Sequence, residues 1–309
     1  MTHFPPNYTD SYFNFLVSKG IKTSTLKQYS SDLNKFFFWM NNYKGTIEFN
    51  TFMALNDRDF EIFIGYISEK GYSDATFRRI LSVLNQFLKH FNINSDVLLA
   101  KPKERPLRSL NKNDFISDDE MDILLKSMSK LGTSEARNYL IERNLAIVCL
   151  VRYYGLTPND IASITMNGVN LAQKTIAINS NGTSLKIKLQ DEHIQYIRTY
   201  RRSIDKSIRP RFRSKDPLFV AFFNLTFSFR FDYAAGIPQP LSVRAIQEMI
   251  KDEVKFAGLR KISAKHLRNS CILNFLSYGY SINKVITYFR LSDPFSINRY
   301  QKYLKSIES

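Results

Sequence analysis

Apolar residues recur along the first ninety positions with the spacing of an α-helix. Tyr12, Phe13, Leu16 and Val17 mark a short helix that stops at Gly20. Leu26, Tyr29, Leu33, Phe36, Phe37 and Met40 extend a long one, for which Thr23-Ser24-Thr25 offers capping hydroxyls. Phe60, Phe63, Ile64 and Ile67 follow Asn56-Asp57, and Phe77, Ile80, Leu81, Leu84, Leu88 and Phe91 follow Ser73-Asp74. Side chains so spaced share one helix face. Four amphipathic helices in so short a span bury their stripes together as a small bundle.

The pattern then breaks. Lys101, Lys103, Arg105 and Arg108 are interleaved with Pro102 and Pro106, and nothing there is apolar enough to bury. That composition predicts a basic linker over 101–114, between a first region at 1–100 and a second at 115–309. The second region opens on Ser117-x-x-Glu120, a capping box. Its most apolar stretch predicts one continuous helix from Glu135 to Tyr154. Thr157 followed by Pro158 reads as an N-cap with proline at the first helical position. Two alternating runs, Thr175–Asn179 and Leu185–Leu189, flank Ser180-Asn181-Gly182-Thr183 and predict a hairpin, with Lys186 and Lys188 on its outward face. Ser242 starts a further helix with Arg244 in its first turn.

The last segment is the densest in chemistry. Lys265, His266 and Arg268 open an apolar helix containing Leu267, Cys271, Ile272, Phe275 and Leu276. A Tyr278-Gly279 turn leads to a second run, Ile282, Val285, Ile286 and Phe289. Ser292-Asp293-Pro294 then breaks the chain before Tyr300 and Tyr303.

Charge narrows the partners. Lys and Arg outnumber Asp and Glu by 44 to 28, a net charge of +16, which favours nucleic acid or an anionic membrane surface. No apolar run approaches the ~20 residues of a membrane span, no secretory core opens the chain, and no helix joins a basic face to an isolated apolar one. A membrane partner is therefore not expected. Cys149 and Cys271 lie in apolar helical runs and read as buried thiols, and the four histidines form no metal cluster, so neither metal nor cofactor is expected.

The order of these pieces resembles the tyrosine recombinases of the phage-integrase and Xer type. Members carry H-x-x-R at the start of the helix where Lys-His-Leu-Arg stands here, so Arg268 matches their arginine and Lys265 occupies the histidine position. Tyr300 falls where their nucleophile lies. The resemblance implies a mainly α fold with a small β-hairpin: a four-helix, SAM-like core-binding domain followed by a catalytic-type domain. It also implies a duplex-DNA partner and a cytoplasmic, nucleoid-associated protein, and it leaves open self-association on DNA and a controlling protein or peptide.

Three expected groups are replaced. Thr157 stands at the position of an arginine that grips the scissile phosphate, the hairpin turn holds no lysine near Ser180, and Leu291 stands where a histidine or tryptophan donor is found. Losing one preorganised donor lowers a rate by roughly 10²–10³. The expectation is thus a non-enzyme that keeps the fold for sequence-specific DNA binding, with Lys265, Arg268 and Tyr300 vestigial. Lysogeny repressors of SPbeta-type Bacillus phages, which resemble recombinases, fit that description. The alternative is an active, atypical recombinase using Tyr300, with Arg152 or Arg290 refilling the site. Expected DNA contacts are Lys22, Thr25, Arg78 and Arg79 in the first region, and Lys101, Lys103, Arg105 and Arg108 in the linker. In the second region they are Gln239, Ser242, Arg244, Gln247, Lys265, His266, Arg268 and Arg290.

Overall fold

A computed structural model of the chain describes residues 6–98, 100, 108–180, 183–291 and 296–308. It divides into two compact units, Met1–Arg108 and Ser109–Ser309. The architecture is mainly helical with small antiparallel sheets.

The first unit contains α1 (Thr9–Ser18), α2 (Thr23–Lys44), α3 (Phe49–Met53), α4 (Asp57–Glu69) and α5 (Asp74–His90). Its core is aromatic: Tyr12, Phe36, Phe37, Phe52, Phe60, Phe63 and Phe87 are all buried. Such rings supply large apolar area and pack edge to face, as Phe36 and Phe63 do at 88°. Asn56 and Ser73 cap α4 and α5 through their side chains. The Thr23-Ser24-Thr25 cap is not formed. Lys22 is the N-cap of α2 and makes no side-chain bond there. The short α3 was not legible, because five residues show too little periodicity. One buried carboxylate ties the helices together. Asp32 on α2 receives Arg79 Nε at 2.7 Å and Nη2 at 3.2 Å, and Lys35 Nζ at 3.0 Å.

The second unit begins with α6 (Asp118–Met128), capped by Ser117 and Glu120 in the expected box. The predicted long helix is broken. Leu140 leaves the helical region (φ −104°, ψ 9°) and separates α7 (Glu135–Tyr139) from α8 (Ile141–Tyr154). α8 is buried on nearly every face, which explains its apolar composition. Then come α9 (Pro158–Ala162), β1 (Val169–Asn170), β2 (Thr175–Ser180) and β3 (Thr183–Lys188). β2 pairs with β3 from Thr175↔Lys188 to Ser180↔Thr183, which buries Ile176, Ile178 and Ile187 and leaves Lys186 and Lys188 exposed. The Asn181-Gly182 turn lies outside the described residues.

α10 (Asp191–Ser203) packs on α8, followed by two short ribbons, β4 (Phe222–Phe223) with β5 (Ser228–Phe229) and β6 (Phe231–Asp232) with β7 (Ile237–Pro238). Phenylalanine is frequent between positions 219 and 231, and of these rings Phe219 and Phe229 enter the core. α11 (Val243–Phe256), α12 (Ala264–Ser277), α13 (Ile282–Phe289) and α14 (Ser296–Glu308) complete the unit. α11 is anchored by the buried Glu253. Its carboxylate accepts from Arg137 Nη2 at 2.8 Å and Asn144 Nδ2 at 2.8 Å, and Asn144 Oδ1 in turn accepts from the buried Arg143. Among the described residues no helix is long and apolar enough to cross a membrane, and no group of acidic, histidine and cysteine side chains has the arrangement of a metal site.

Candidate active site

The turn after α8 sets the geometry. Gly155 sits at φ +63°, the left-handed conformation that glycine adopts without steric cost. It is also crowded: a Cβ there would lie 2.1 Å from Cε1 of the buried Phe289. The close approach brings the end of α13 against the turn. Arg268, one turn into α12, bridges the two, with Nη1 donating to Gly155 O and Nη2 to Phe289 O at 2.6 Å. Burial depresses its guanidinium pKa, Asp160 opposes that, and the neighbouring Arg290 charge adds to it.

Thr157 is the N-cap of α9, as its sequence predicts. It forms a capping box with Asp160 in which Thr157 N and Oγ1 donate to Asp160 Oδ2 at 2.8 and 2.7 Å. The same oxygen lies 2.8 Å from Arg290 Nη2. An arginine from the end of α13 therefore reaches the turn at which the sequence has threonine. Arg152 does not. It points to Asp118, with Nη2 at 2.9 Å from that carboxylate.

Tyr300, on α14, is half-buried. Burial raises its phenol pKa, and the Arg268 charge pulls it back down. Its hydroxyl donates to Asn269 Oδ1 at 2.8 Å, while Asn269 Nδ2 donates to Asp114 O at 2.9 Å. Phe115 stacks on Tyr303 with ring centroids 4.6 Å apart. Asn269 was missed by sequence reasoning. Its one signal is a buried amide in an otherwise apolar helix, and such a group requires partners. The Ser292-Asp293-Pro294 break lies outside the described residues.

The remaining expected residues are dispersed. Lys265 is exposed in the first turn of α12. His266 is used structurally: Ser263 N donates to its Nδ1 at 3.0 Å, closing the cap of α12. That bond fixes the neutral tautomer with the proton on Nε2, and burial lowers the ring's pKa in the same sense. Arg244 and Gln247 are exposed three residues apart on α11, and so share a face. The Ser242 hydroxyl is occupied as the N-cap of that helix, and Gln239 is half-buried and bonded through its backbone. In the first unit, Lys22 is exposed, Thr25 and Arg78 are half-buried, and Arg79 is held on Asp32. Arg108 is exposed, whereas Lys101, Lys103 and Arg105 lie outside the described residues.

Comparison with known proteins places this geometry. Residues 9–91 match the phage integrase N-terminal SAM-like domain. The tyrosine recombinase XerD of Staphylococcus aureus is 23% identical over 304 residues, covering 96% of this chain and 94% of the relative. The fold aligns with the Tn1549 transposon integrase bound to transposon right-end DNA (TM-score 0.69, 13% identity, 94% of this chain and 92% of that one). It also aligns with the XerH recombinase on its difH substrate (TM-score 0.64, 16% identity, 92% and 79%). These matches overturn the expectation of a non-enzyme. That expectation rested on single positions, whereas the proteins similar along nearly the whole chain are recombinases. A second profile, described as the phage integrase family, matches residues 114–306, well over half of the sequence, and the chain belongs to that family, the tyrosine recombinases.

Proposed function

We propose that the protein is a site-specific tyrosine recombinase that binds duplex DNA and cleaves it through Tyr300. The observation that carries this reading is the meeting of two guanidiniums at one turn, Arg268 on Gly155 O and Arg290 on Asp160, in the unit whose Tyr300 is held on Asn269, one residue along from Arg268. In the reaction Tyr300 Oη bonds to phosphorus, the bond from phosphorus to the 5′-oxygen breaks, and the phenolic proton passes to solvent. The leaving oxygen takes up a proton, for which the exposed Lys265 is the candidate donor. Arginines beside the phosphate stabilise the charge that builds on its non-bridging oxygens. The net charge of +16 suits a polyanionic partner. The DNA-bound state of the Tn1549 and XerH proteins supports the same assignment. Base readout falls to Arg244 and Gln247, and backbone contacts to the linker cations.

The test is incubation with genomic fragments flanking its own gene, footprinting of the site, then a suicide duplex nicked within it. A covalent adduct lost in Tyr300→Phe is expected. Footprints with no adduct on any nick position would overturn cleavage. A second reading, control of transcription as an operator-bound repressor, would coexist with strand exchange. It is favoured by Thr157 and Leu291, which stand where the family resemblance expects an arginine and a histidine or tryptophan donor. A reporter driven from the footprinted promoter tests it.

A further inference from the structure

We propose that Arg290 is a catalytic residue: a second phosphate-binding guanidinium, delivered from the end of α13 to the turn where Thr157 has no charge to offer. The inference rests on the reading of Tyr300 as the nucleophile.

Four observations converge on it. Arg290 occupies the left-handed region, at φ 51° and ψ 49°. A residue with a Cβ adopts that conformation at a cost, whereas glycine adopts it freely. Strain of this kind persists where the surroundings enforce it and concentrates at functional sites. Second, the guanidinium is aimed. Its Nη2 lies 2.8 Å from Asp160 Oδ2, and Asp160 is itself fixed by Thr157 N and Oγ1. Third, its Nη1 is buried without a hydrogen-bond partner among the described residues. A buried charged donor calls for an acceptor, and a phosphate oxygen is one that would suit it. Fourth, Arg290 directly follows Phe289, whose carbonyl oxygen holds Arg268 Nη2 at 2.6 Å. One guanidinium, that of Arg268, is therefore held on the carbonyls of Gly155 and Phe289, and the other, that of the next residue after Phe289, on the Asp160 carboxylate five residues past Gly155. An anion with two available oxygens completes the charge balance.

A purely structural role explains less. Asp160 already receives two donors from Thr157, so the cap of α9 does not require the arginine. A glycine at 290 would end α13 with less strain. In the reaction the two non-bridging oxygens of the pentacoordinate phosphorus take one guanidinium each. Both arginines stay protonated throughout. The Tyr300 Oη–phosphorus bond forms, the bond to the 5′-oxygen breaks, the phenolic proton passes to solvent, and the leaving oxygen takes its proton from Lys265.

The experiment uses the full chain on the footprinted, nicked duplex and measures adduct formation, duplex affinity against salt, and the melting midpoint. Arg290→Gly is expected to melt at or above the wild-type temperature while its adduct rate falls roughly 10²–10³-fold. Its salt slope should drop by about one, the signature of one lost phosphate contact. Added guanidinium ion should restore part of the Arg290→Gly rate, as should Thr157→Arg in the same background. An adduct rate for Arg290→Gly equal to wild type would overturn the proposal. So would a loss of rate that tracks a lowered melting midpoint and resists both rescues. If the wild type gives no adduct, the Tyr300 reading fails first. Equal duplex affinity and equal salt slope for wild type and Arg290→Gly would then overturn the phosphate contact as well.

Discussion

Replacing Gly155 by alanine tests whether the turn beneath the site is as tightly built as its geometry states. The backbone at φ +63° disfavours any residue with a Cβ by about 1–2 kcal/mol. The new methyl group would also stand 2.1 Å from Phe289 Cε1 and 3.3 Å from Cys271 Sγ. Phe289 is fully buried against Phe275 and Tyr288, so its ring has no free volume to swing into. Overpacking of this kind adds about 1–3 kcal/mol. The sum, about 2–5 kcal/mol, lowers the melting temperature of a unit of this size by roughly 4–20 °C. Because Gly155 O and Phe289 O both accept from Arg268, displacing the ring should weaken duplex binding in parallel. Circular-dichroism melts of the full chain, with gel shifts beside them, measure both. A Gly155→Ala protein whose second unit melts within a degree or two of wild type would refute the reasoning.

Further outcomes follow from other sites. Glu253→Ala should destabilise the second unit by about 3–5 kcal/mol, since it leaves Arg137 and the buried Arg143 without their carboxylate; a urea midpoint shift with unchanged slope is the measurement. His193 is held neutral by burial, its Nδ1 2.7 Å from Tyr154 Oη, which itself accepts from Gln190 N. Its folded pKa lies below the unfolded value of about 6.5, so stability is complete above that pH and falls as acid is added below it. Urea titrations between about pH 7.5 and 5 should show the loss, and His193→Gln should flatten it; His266 titrates in the same direction and sets the remainder. Arg244→Ala should weaken binding to the footprinted site by about 1–3 kcal/mol more than to scrambled duplex; equal losses on both would remove Arg244 from base readout.

Much of the architecture was legible because its signals are local. Asn56, Ser73, Ser117, Thr157 and Ser242 each announce a helix start by an oxygen that reaches the backbone within three residues. The break at Leu140 was not legible, because an apolar run carries no mark of where tertiary packing bends it. The site was half legible. Arg268 and Tyr300 are reached as candidates through the family resemblance, but the pairing of Asp160 with Arg290 joins residues 130 positions apart, beyond the reach of any local pattern. One local signal was available: an arginine at the end of α13, where a left-handed cap favours glycine or asparagine.

The side chain of Asn269 has a mechanical consequence. Its two ends are both engaged: the amide nitrogen on the carbonyl of Asp114, near the start of the second unit, and the amide oxygen on the hydroxyl of Tyr300, near its end. One planar amide thus ties the entering segment to the last helix of the unit, and the phenol and the Asp114 carbonyl are held by opposite ends of the same side chain.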